Sequence, residues 1–139
     1  MASESYESDG PAATEALAGT LAAGLEPGDV VLIRGELGAG KTTFVRGAAR
    51  ALGVSGPISS PTFTIGQAYG GRVAVSHLDL YRLADMGDED PALLDDYLTP
   101  DAIAFVEWPE VAEPALEHVA LRVELFHAGG DRRRIVVER

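Results

Sequence analysis

The sequence contains no cysteine among its 139 residues. Disulfide frameworks, cysteine-based zinc sites and thiolate catalysis are therefore excluded, and this absence fits a reducing compartment. The strongly apolar runs are short, such as 30–33 and 103–106, whereas a helix that crosses a membrane needs about 20 apolar residues. The first ten residues are polar and acidic, without the basic leader and apolar stretch of a signal peptide. We therefore expect a cytoplasmic protein with no membrane segment.

Basic residues are also scarce, because 11 of them stand against 22 acidic residues and leave a net charge of −11. Such a total opposes nonspecific binding to nucleic acid. The charges are nevertheless segregated along the chain. Residues 34–82 and 118–139 are net positive, whereas residues 83–117 are acidic without a single basic residue. The two positive segments suit a small polyanion, and the acidic segment is typical of a solvated surface.

The length is that of one domain able to bury its own core. We predict a disordered tail over residues 1–10 and a single domain over residues 11–139. The hydrophobic pattern predicts helices over 14–25, with Thr14 as the cap, over 41–52 and over 83–98. It predicts strands over 29–34, 62–69, 72–78, 102–106, 119–125 and 133–137. This alternation indicates a three-layer α/β fold, with parallel core strands and flanking antiparallel hairpins.

One motif carries specific chemistry. It follows the first predicted strand, opens a helix, and fits the pattern G-x-x-x-x-G-K-[ST] with the residues Gly35, Glu36, Leu37, Gly38, Ala39, Gly40, Lys41 and Thr42. Glycines let backbone N–H groups face a phosphate, and the helix adds the positive end of its dipole. Lys41, the only lysine in the chain, supplies an ammonium group, and the Thr42 hydroxyl suits Mg²⁺. The motif predicts a P-loop NTPase-like fold, in which Thr43 is either a further hydroxyl beside the phosphates or a first-turn helix residue that faces the core.

Two carboxylates are candidates for the remaining chemistry. Asp79 and Glu107 each follow an apolar strand, and the carboxyl ends of such strands line the ligand crevice of open α/β sheets. One can hold the metal while the other orients or deprotonates a water, and the residues alone leave this division open. His77 shares a strand face with Asp79, and we predict a buried histidine bonded to backbone. Trp108 follows Glu107, and its role is either core packing or coupling the site to a partner.

Four motifs in order resemble the TsaE (YjeE) family of bacterial P-loop ATPases over about residues 14–139. They are Gly35-Glu36-Leu37-Gly38-Ala39-Gly40-Lys41-Thr42-Thr43, Ser60-Pro61-Thr62-Phe63-Thr64, His77-Leu78-Asp79-Leu80-Tyr81-Arg82-Leu83 and Val106-Glu107-Trp108-Pro109-Glu110. The resemblance implies an ATPase that works with a TsaB–TsaD pair in the threonylcarbamoylation of tRNA adenosine beside the anticodon. In that pathway the tRNA contacts would be left largely to the partners.

The resemblance also implies roles for particular residues. Thr42 and Glu107 would ligate Mg²⁺, and Asp79 would be needed for hydrolysis and is a further candidate at the metal. Trp108 would lie near the nucleotide, and Thr14 near its base. One arginine after the final glycine turn would also lie near the nucleotide. Within the run Arg132-Arg133-Arg134 we take Arg133 as the candidate.

Two other functions remain open at this point. One is a nucleotide-dependent interaction switch whose hydrolysis is incidental. Ser60 and Thr62 are either switch residues, because switch loops sense the terminal phosphate in P-loop proteins, or part of an ordinary turn. The other is a small-molecule kinase. A kinase of this size needs an arginine-bearing lid over the phosphates, and the acidic segment 83–117 offers none.

Overall fold

In the computed structural model, the residues described are 3–36, 38–58, 66–80, 91–111 and 116–139. Within these ranges, seven strands join one sheet: β1 (Ser3–Ser8), β2 (Val30–Gly35), β3 (Gly66–Tyr69), β4 (Ala74–Asp79), β5 (Ala102–Glu107), β6 (Val119–His127) and β7 (Arg133–Glu138). The α-helices of the same ranges are α1 (Pro11–Ala22) and α2 (Lys41–Ala51). Neither is long and apolar enough to cross a membrane.

The strand order is β1-β7-β6-β2-β5-β4-β3. At the centre, β2 runs parallel to both β5 and β6, and β5 runs parallel to β4. Antiparallel pairs flank this centre, with β3 against β4 on one side and β6, β7 and β1 on the other. The predicted α/β fold, with a parallel core and antiparallel hairpins at its flanks, is confirmed.

The core has two parts because successive strand residues point to opposite faces. Both α-helices cover one face, where Phe44 and Val45 of α2 pack against Val31 and Phe105. The other face is covered by shorter elements, among them the 3₁₀ helix Pro91–Asp96, whose Leu94 is buried there. The predicted helix over 83–98 is therefore a 3₁₀ helix within its described part, while residues 83–90 lie outside the described residues.

Helix α1 begins earlier than predicted. It starts with Pro11, directly after its N-cap Gly10, and proline suits the first helical position because the missing N–H has no helical partner there. Thr14 therefore lies inside the first turn instead of capping it, and its backbone N–H donates to Gly10 O over 3.1 Å. Helix α1 packs very closely on α2, because a Cβ on Gly47 would lie 2.3 Å from the Glu15 carbonyl oxygen.

The prediction of a disordered tail is wrong for residues 3–8, which form strand β1. The strand pairs antiparallel with β7, so that Tyr6 lies opposite Ile135 and Ser8 opposite Arg133. Tyr6 packs on the core and Ser8 is buried. Strand β1 lies at the edge of the sheet and pairs with β7, and Tyr6 is the apolar residue by which it packs on the core. The polar composition of this segment therefore gave no sign of a strand.

The other predicted strands differ from the observed ones only at their ends. The strand predicted over 62–69 is observed over Gly66–Tyr69, and residues 62–65 lie outside the described residues. Ser60, Tyr81 and Arg82, which belong to two of the motifs, also lie outside them. The glycine turn before β7 is confirmed, because Gly129 and Gly130 both have positive φ values, of 100° and 57°.

Candidate functional site

The glycine-rich loop joins the carboxyl end of β2 to the start of α2. Gly38 and Gly40 adopt φ values of 76° and 101°, a left-handed region that residues with a Cβ rarely enter. The Ala39 N–H donates to Glu36 O over 3.0 Å and closes a turn within the loop. The Phe44 N–H then donates to Gly40 O over 2.9 Å, which begins the helix. Leu37, a predicted loop ligand, lies outside the described residues.

Lys41 is buried at the centre of this loop, with only 5% of its surface exposed. Its Nζ donates to Gly35 O over 2.7 Å and to Glu36 O over 2.9 Å. Burial lowers the pKa of the Lys41 ammonium, while the nearby carboxylates of Glu107, Asp79 and Glu110 act in the opposite direction. The cost of desolvation is therefore only partly offset. An anion beside Lys41 would supply further compensation.

Two side chains suited to a divalent cation meet beside Lys41. The Thr42 hydroxyl donates to Glu107 Oε2 over 3.2 Å. Glu107 ends strand β5 and is 2% exposed. Hydroxyl and carboxylate oxygens are hard ligands of the kind that Mg²⁺ prefers, and Mg²⁺ commonly takes only one or two carboxylates because phosphates and waters complete its shell. The donor set therefore fits Mg²⁺, and the described residues contain no group of three or more His, Cys, Asp or Glu side chains that could hold a metal by themselves.

Asp79 lies beside Glu107, on the neighbouring strand β4. The two residues are register partners at the ends of the parallel strands β4 and β5, so their side chains leave the same face of the sheet. Both line a cleft of about 310 Å³. The other residues that line it in the described part of the chain are Gly38, Gly40, Lys41, Thr42, Thr43 and Trp108. The cleft thus joins the glycine loop to the two predicted carboxylates.

His77 contacts Glu107 from the interior of the protein. It is fully buried, and its Nε2 shares a hydrogen bond with Glu107 Oε2. The prediction of a buried histidine is correct, but its partner is this carboxylate and not backbone. Its Nδ1 has no hydrogen-bond partner among the described residues. The pairing joins two strands through a non-local register, and nothing in the sequence near either residue signals it.

Trp108 follows Glu107 and forms the wall of the cleft beside Lys41. Its φ is 56°, which is unusual for a residue other than glycine. Its backbone N–H donates to Ile33 O over 3.3 Å. The Lys41 Nζ lies 4.5 Å from the centroid of the indole ring, which is a cation–π distance. Arg34 and Glu110 do not line this cleft, and they form an ion pair in which the Arg34 Nε donates to Glu110 Oε1 over 3.1 Å. Sequence reasoning missed this ion pair.

Arg133 is the tail arginine that meets the glycine loop. Its Nε donates to Ala39 O and its Nη2 to Gly38 O, each over 3.0 Å. The sequence did contain a signal for this choice. Residues two apart in a strand share a face, so Arg133 lies on the same face as the apolar Ile135 and Val137, whereas Arg134 lies on the opposite face.

The remaining predicted ligands are more distant from the phosphate cleft. The Thr14 hydroxyl lies inside the protein, 2.7 Å from Ser8 Oγ, and does not line that cleft. The side chain of Glu36 is exposed, and its carbonyl is the group that contacts Lys41. A second cleft of about 440 Å³ lies beyond Arg133, between the end of β1 and the start of α1. A contact of Thr14 with a base stays a prediction.

A buried strand, a glycine loop with a lysine inside it, and a helix that starts at this lysine define an α/β protein of the P-loop class. Residues 8–135 match the family model described as "Threonylcarbamoyl adenosine biosynthesis protein TsaE". The chain belongs to this family, as its motifs predicted.

Named relatives and one solved structure agree with this assignment. A tRNA threonylcarbamoyladenosine biosynthesis protein TsaE of Bacillus subtilis (strain 168) is 40% identical over 126 residues, which cover 90% of this chain and 78% of the relative. A protein of the same name from Treponema pallidum is 36% identical over 113 residues, covering 81% and 84%. The crystal structure of YdiB from Bacillus subtilis superposes with a TM-score of 0.81 at 33% identity, covering 98% of this chain and 84% of that one.

Proposed function

We propose that this chain binds ATP with Mg²⁺ and hydrolyses it as an accessory subunit in the threonylcarbamoylation of tRNA adenosine beside the anticodon. It would act in the cytoplasm, together with a TsaB–TsaD-type complex that carries out the transfer. The observation that carries this proposal is the convergence of Lys41, Thr42, Glu107 and Asp79 on one cleft. Membership of the TsaE family supports the pathway.

Phosphate binding would fall to the loop and to Lys41. The Lys41 Nζ now donates to two loop carbonyls, and a bound phosphate would compete with them for the ammonium protons. Because the anion carries a full charge, it would offset the desolvation of Lys41 better than neutral carbonyls do. The N-terminus of α2 adds its dipole at the same point.

Metal binding would fall to Thr42 and Glu107. Mg²⁺, when bound, would neutralise the charge on the phosphates. His77 holds the Glu107 carboxylate from inside the core, so the carboxylate keeps its orientation before any ligand arrives. Such preorganisation is favourable because no reorganisation is needed during the reaction.

Asp79 is the candidate for orienting water. It is the register partner of Glu107 on the neighbouring strand, it is half-buried, and it is not part of the phosphate-binding loop. In the proposed reaction its carboxylate accepts a proton from the water that attacks the terminal phosphate, or aligns that water by a hydrogen bond.

Contact with tRNA would be indirect. The net charge of −11 opposes a direct phosphate contact over most of the surface. ATP turnover in this chain would instead drive a step in its partners, which hold the tRNA.

The test is a reconstituted modification assay, in which TsaB–TsaD-type partners act on tRNA through several turnovers with this chain, without it, or with its Lys41→Ala variant. We expect repeated turnover only with the unmodified chain, together with release of inorganic phosphate. Modification that continues equally without the chain would contradict the proposal. Modification that needs the chain but not hydrolysis, as judged with a non-hydrolysable ATP analogue, would favour the interaction switch.

A further inference from the structure

The guanidinium of Arg133 is fixed by four hydrogen bonds to backbone carbonyls. Two go to the glycine loop, at Gly38 O and Ala39 O. The other two go to the turn before β7, where Nη1 donates to Gly130 O over 2.7 Å and to Arg132 O over 2.8 Å. Each of its three nitrogens therefore has a carbonyl partner. The side chain links the final hairpin of the sheet to the outside of the loop.

This contact has a consequence for the inside of the loop. In a trans peptide, the carbonyl of one residue and the N–H of the next lie in one plane and point in opposite directions, and no peptide bond in the described residues is cis. Holding Ala39 O from outside therefore directs the Gly40 N–H to the opposite side. Gly40 lines the phosphate cleft, so this N–H is directed toward the place where a phosphate would bind.

The loop needs such a constraint because its glycines are flexible. Gly38 and Gly40 hold left-handed φ values, and glycine samples positive and negative φ about equally when it is free. Fixing one residue in a single backbone conformation costs about 1–2 kcal/mol of conformational entropy. A side chain that holds two successive carbonyls limits this freedom before a ligand arrives.

We propose that Arg133 is a positioning residue, which shapes the empty phosphate loop through the Gly38 and Ala39 carbonyls and does not itself bind the terminal phosphate. Its three nitrogens already donate to backbone carbonyls, and, unlike Lys41, Arg133 is not among the described residues that line the phosphate cleft. The expected effect of Arg133 on ATP binding rests on the proposed function. Its effect on the loop conformation does not, because that conformation is held in the chain without ligand.

The first test measures the loop in the nucleotide-free protein. Backbone ¹⁵N order parameters of Gly38, Ala39 and Gly40 should be close to the rigid value of about 0.85 and should fall below about 0.6 in Arg133→Ala. Arg133→Lys keeps the charge but cannot form the planar two-carbonyl contact, so we expect a similar fall. Arg134→Ala is the matched control. It removes the same charge one residue later, where the side chain lies over Phe126 on the opposite face, and the loop should stay rigid.

The second test compares three ligands: inorganic pyrophosphate, ADP and ATP. If Arg133 shapes the loop, Arg133→Ala weakens all three by the same factor, on the order of tenfold, while Arg134→Ala leaves them within about twofold. A loss for ATP much larger than for ADP would mean a direct contact with the terminal phosphate. A loss for the nucleotides but not for pyrophosphate would mean a contact with the nucleoside. Either result, or an unchanged loop in the first test, would overturn the inference.

The two tests separate this inference from the proposed function. If the unmodified chain bound none of the three ligands, the proposed function would fail, yet the order parameters would still decide whether Arg133 shapes the loop. If the ligands bound and the loop of Arg133→Ala stayed rigid, the proposed function would stand and the inference would fail.

Discussion

Each end of the parallel strands carries a cleft. The larger cleft is at the amino ends, whereas the candidate phosphate and metal ligands are at the carboxyl ends. At the amino ends of β2 and β5, a cavity of about 510 Å³ is lined by Asp29, Asp95, Glu117 and His118 among others. At the carboxyl ends, the cleft around Lys41 measures only about 310 Å³. The difference lies in what each cleft presents to a ligand.

The amino-end cavity has no lysine or arginine among the described residues that line it, and its carboxylates would repel a phosphate. The carboxyl-end cleft combines a buried ammonium, a helix N-terminus and two carboxylates that strand register brings together. Convergent polar groups, and not volume, therefore identify the site in this P-loop fold.

The largest effect is expected from Lys41→Ala. Removing the ammonium from the loop should weaken ADP and ATP binding on the order of a hundredfold or more, because a charge-assisted contact to phosphate is lost. Isothermal titration calorimetry measures this directly. The matched variant at the other end is Asp95→Asn, which should bind both nucleotides as the unmodified chain does. Equal losses of nucleotide affinity in the two variants would contradict the assignment of the nucleotide site to the carboxyl ends of the strands.

Glu107→Gln and Asp79→Asn should separate hydrolysis from binding. We expect ATP hydrolysis to fall on the order of a hundredfold or more, while nucleotide affinity measured without Mg²⁺ changes by less than about tenfold. Phosphate release with the partners present gives the turnover. Glu110→Gln is the control, since this carboxylate is exposed and pairs with Arg34 outside the cleft. The assignment fails if Glu110→Gln is as impaired as the other two.

His77→Leu tests whether the buried histidine orients Glu107. Without the Nε2 contact the carboxylate gains freedom, and we expect about a tenfold lower kcat together with a higher Mg²⁺ requirement. His77→Gln should recover most of the loss, because its amide nitrogen can stand near the position of Nε2. Ser76→Ala, the next buried residue on the opposite face of β4, should leave both quantities unchanged. If the glutamine variant behaved like the leucine variant, the contact would have no positioning role.

The smallest effect concerns the two non-glycine residues with positive φ in the described part of the chain, Trp108 at 56° and His118 at 60°. His118 is exposed at the amino end, so His118→Gly should relieve backbone strain and raise the free energy of unfolding by up to about 1 kcal/mol, with ATP turnover unchanged. Trp108→Gly relieves the same strain but removes the ring beside Lys41, so no gain in stability is expected. Urea denaturation of both variants compares the two ends. A loss of turnover in His118→Gly would contradict the comparison.

Much of the site could be predicted because its residues belong to short local patterns in the sequence. The loop and Lys41 form one motif, and Asp79 and Glu107 each end an apolar strand, which places them at the same edge of a parallel sheet. The fold class followed from the same alternation of strands and helices. These features depend on local pattern, and local pattern is what a single sequence contains.

The contacts that sequence reasoning missed are non-local. Strand β1 is held by pairing with β7, and its polar residues carry no pattern that distinguishes it from a tail. The hydrogen bond between His77 and Glu107 joins residues 30 positions apart and depends on the register of strands β4 and β5. Arg133 could have been preferred over its neighbours from strand alternation, but its contact with the loop depends on how the last hairpin folds back over Gly38 and Ala39.

The indole beside the loop lysine makes the protein its own optical reporter. Trp108 is the only tryptophan in the chain, so all indole emission arises from one ring at the wall of the cleft. A ligand that draws the Lys41 ammonium away from its place 4.5 Å from the ring centroid changes the electric field at that ring. Occupancy of the loop can therefore be followed in the unlabelled chain, in real time and alongside its partners, provided that those partners are prepared without tryptophan.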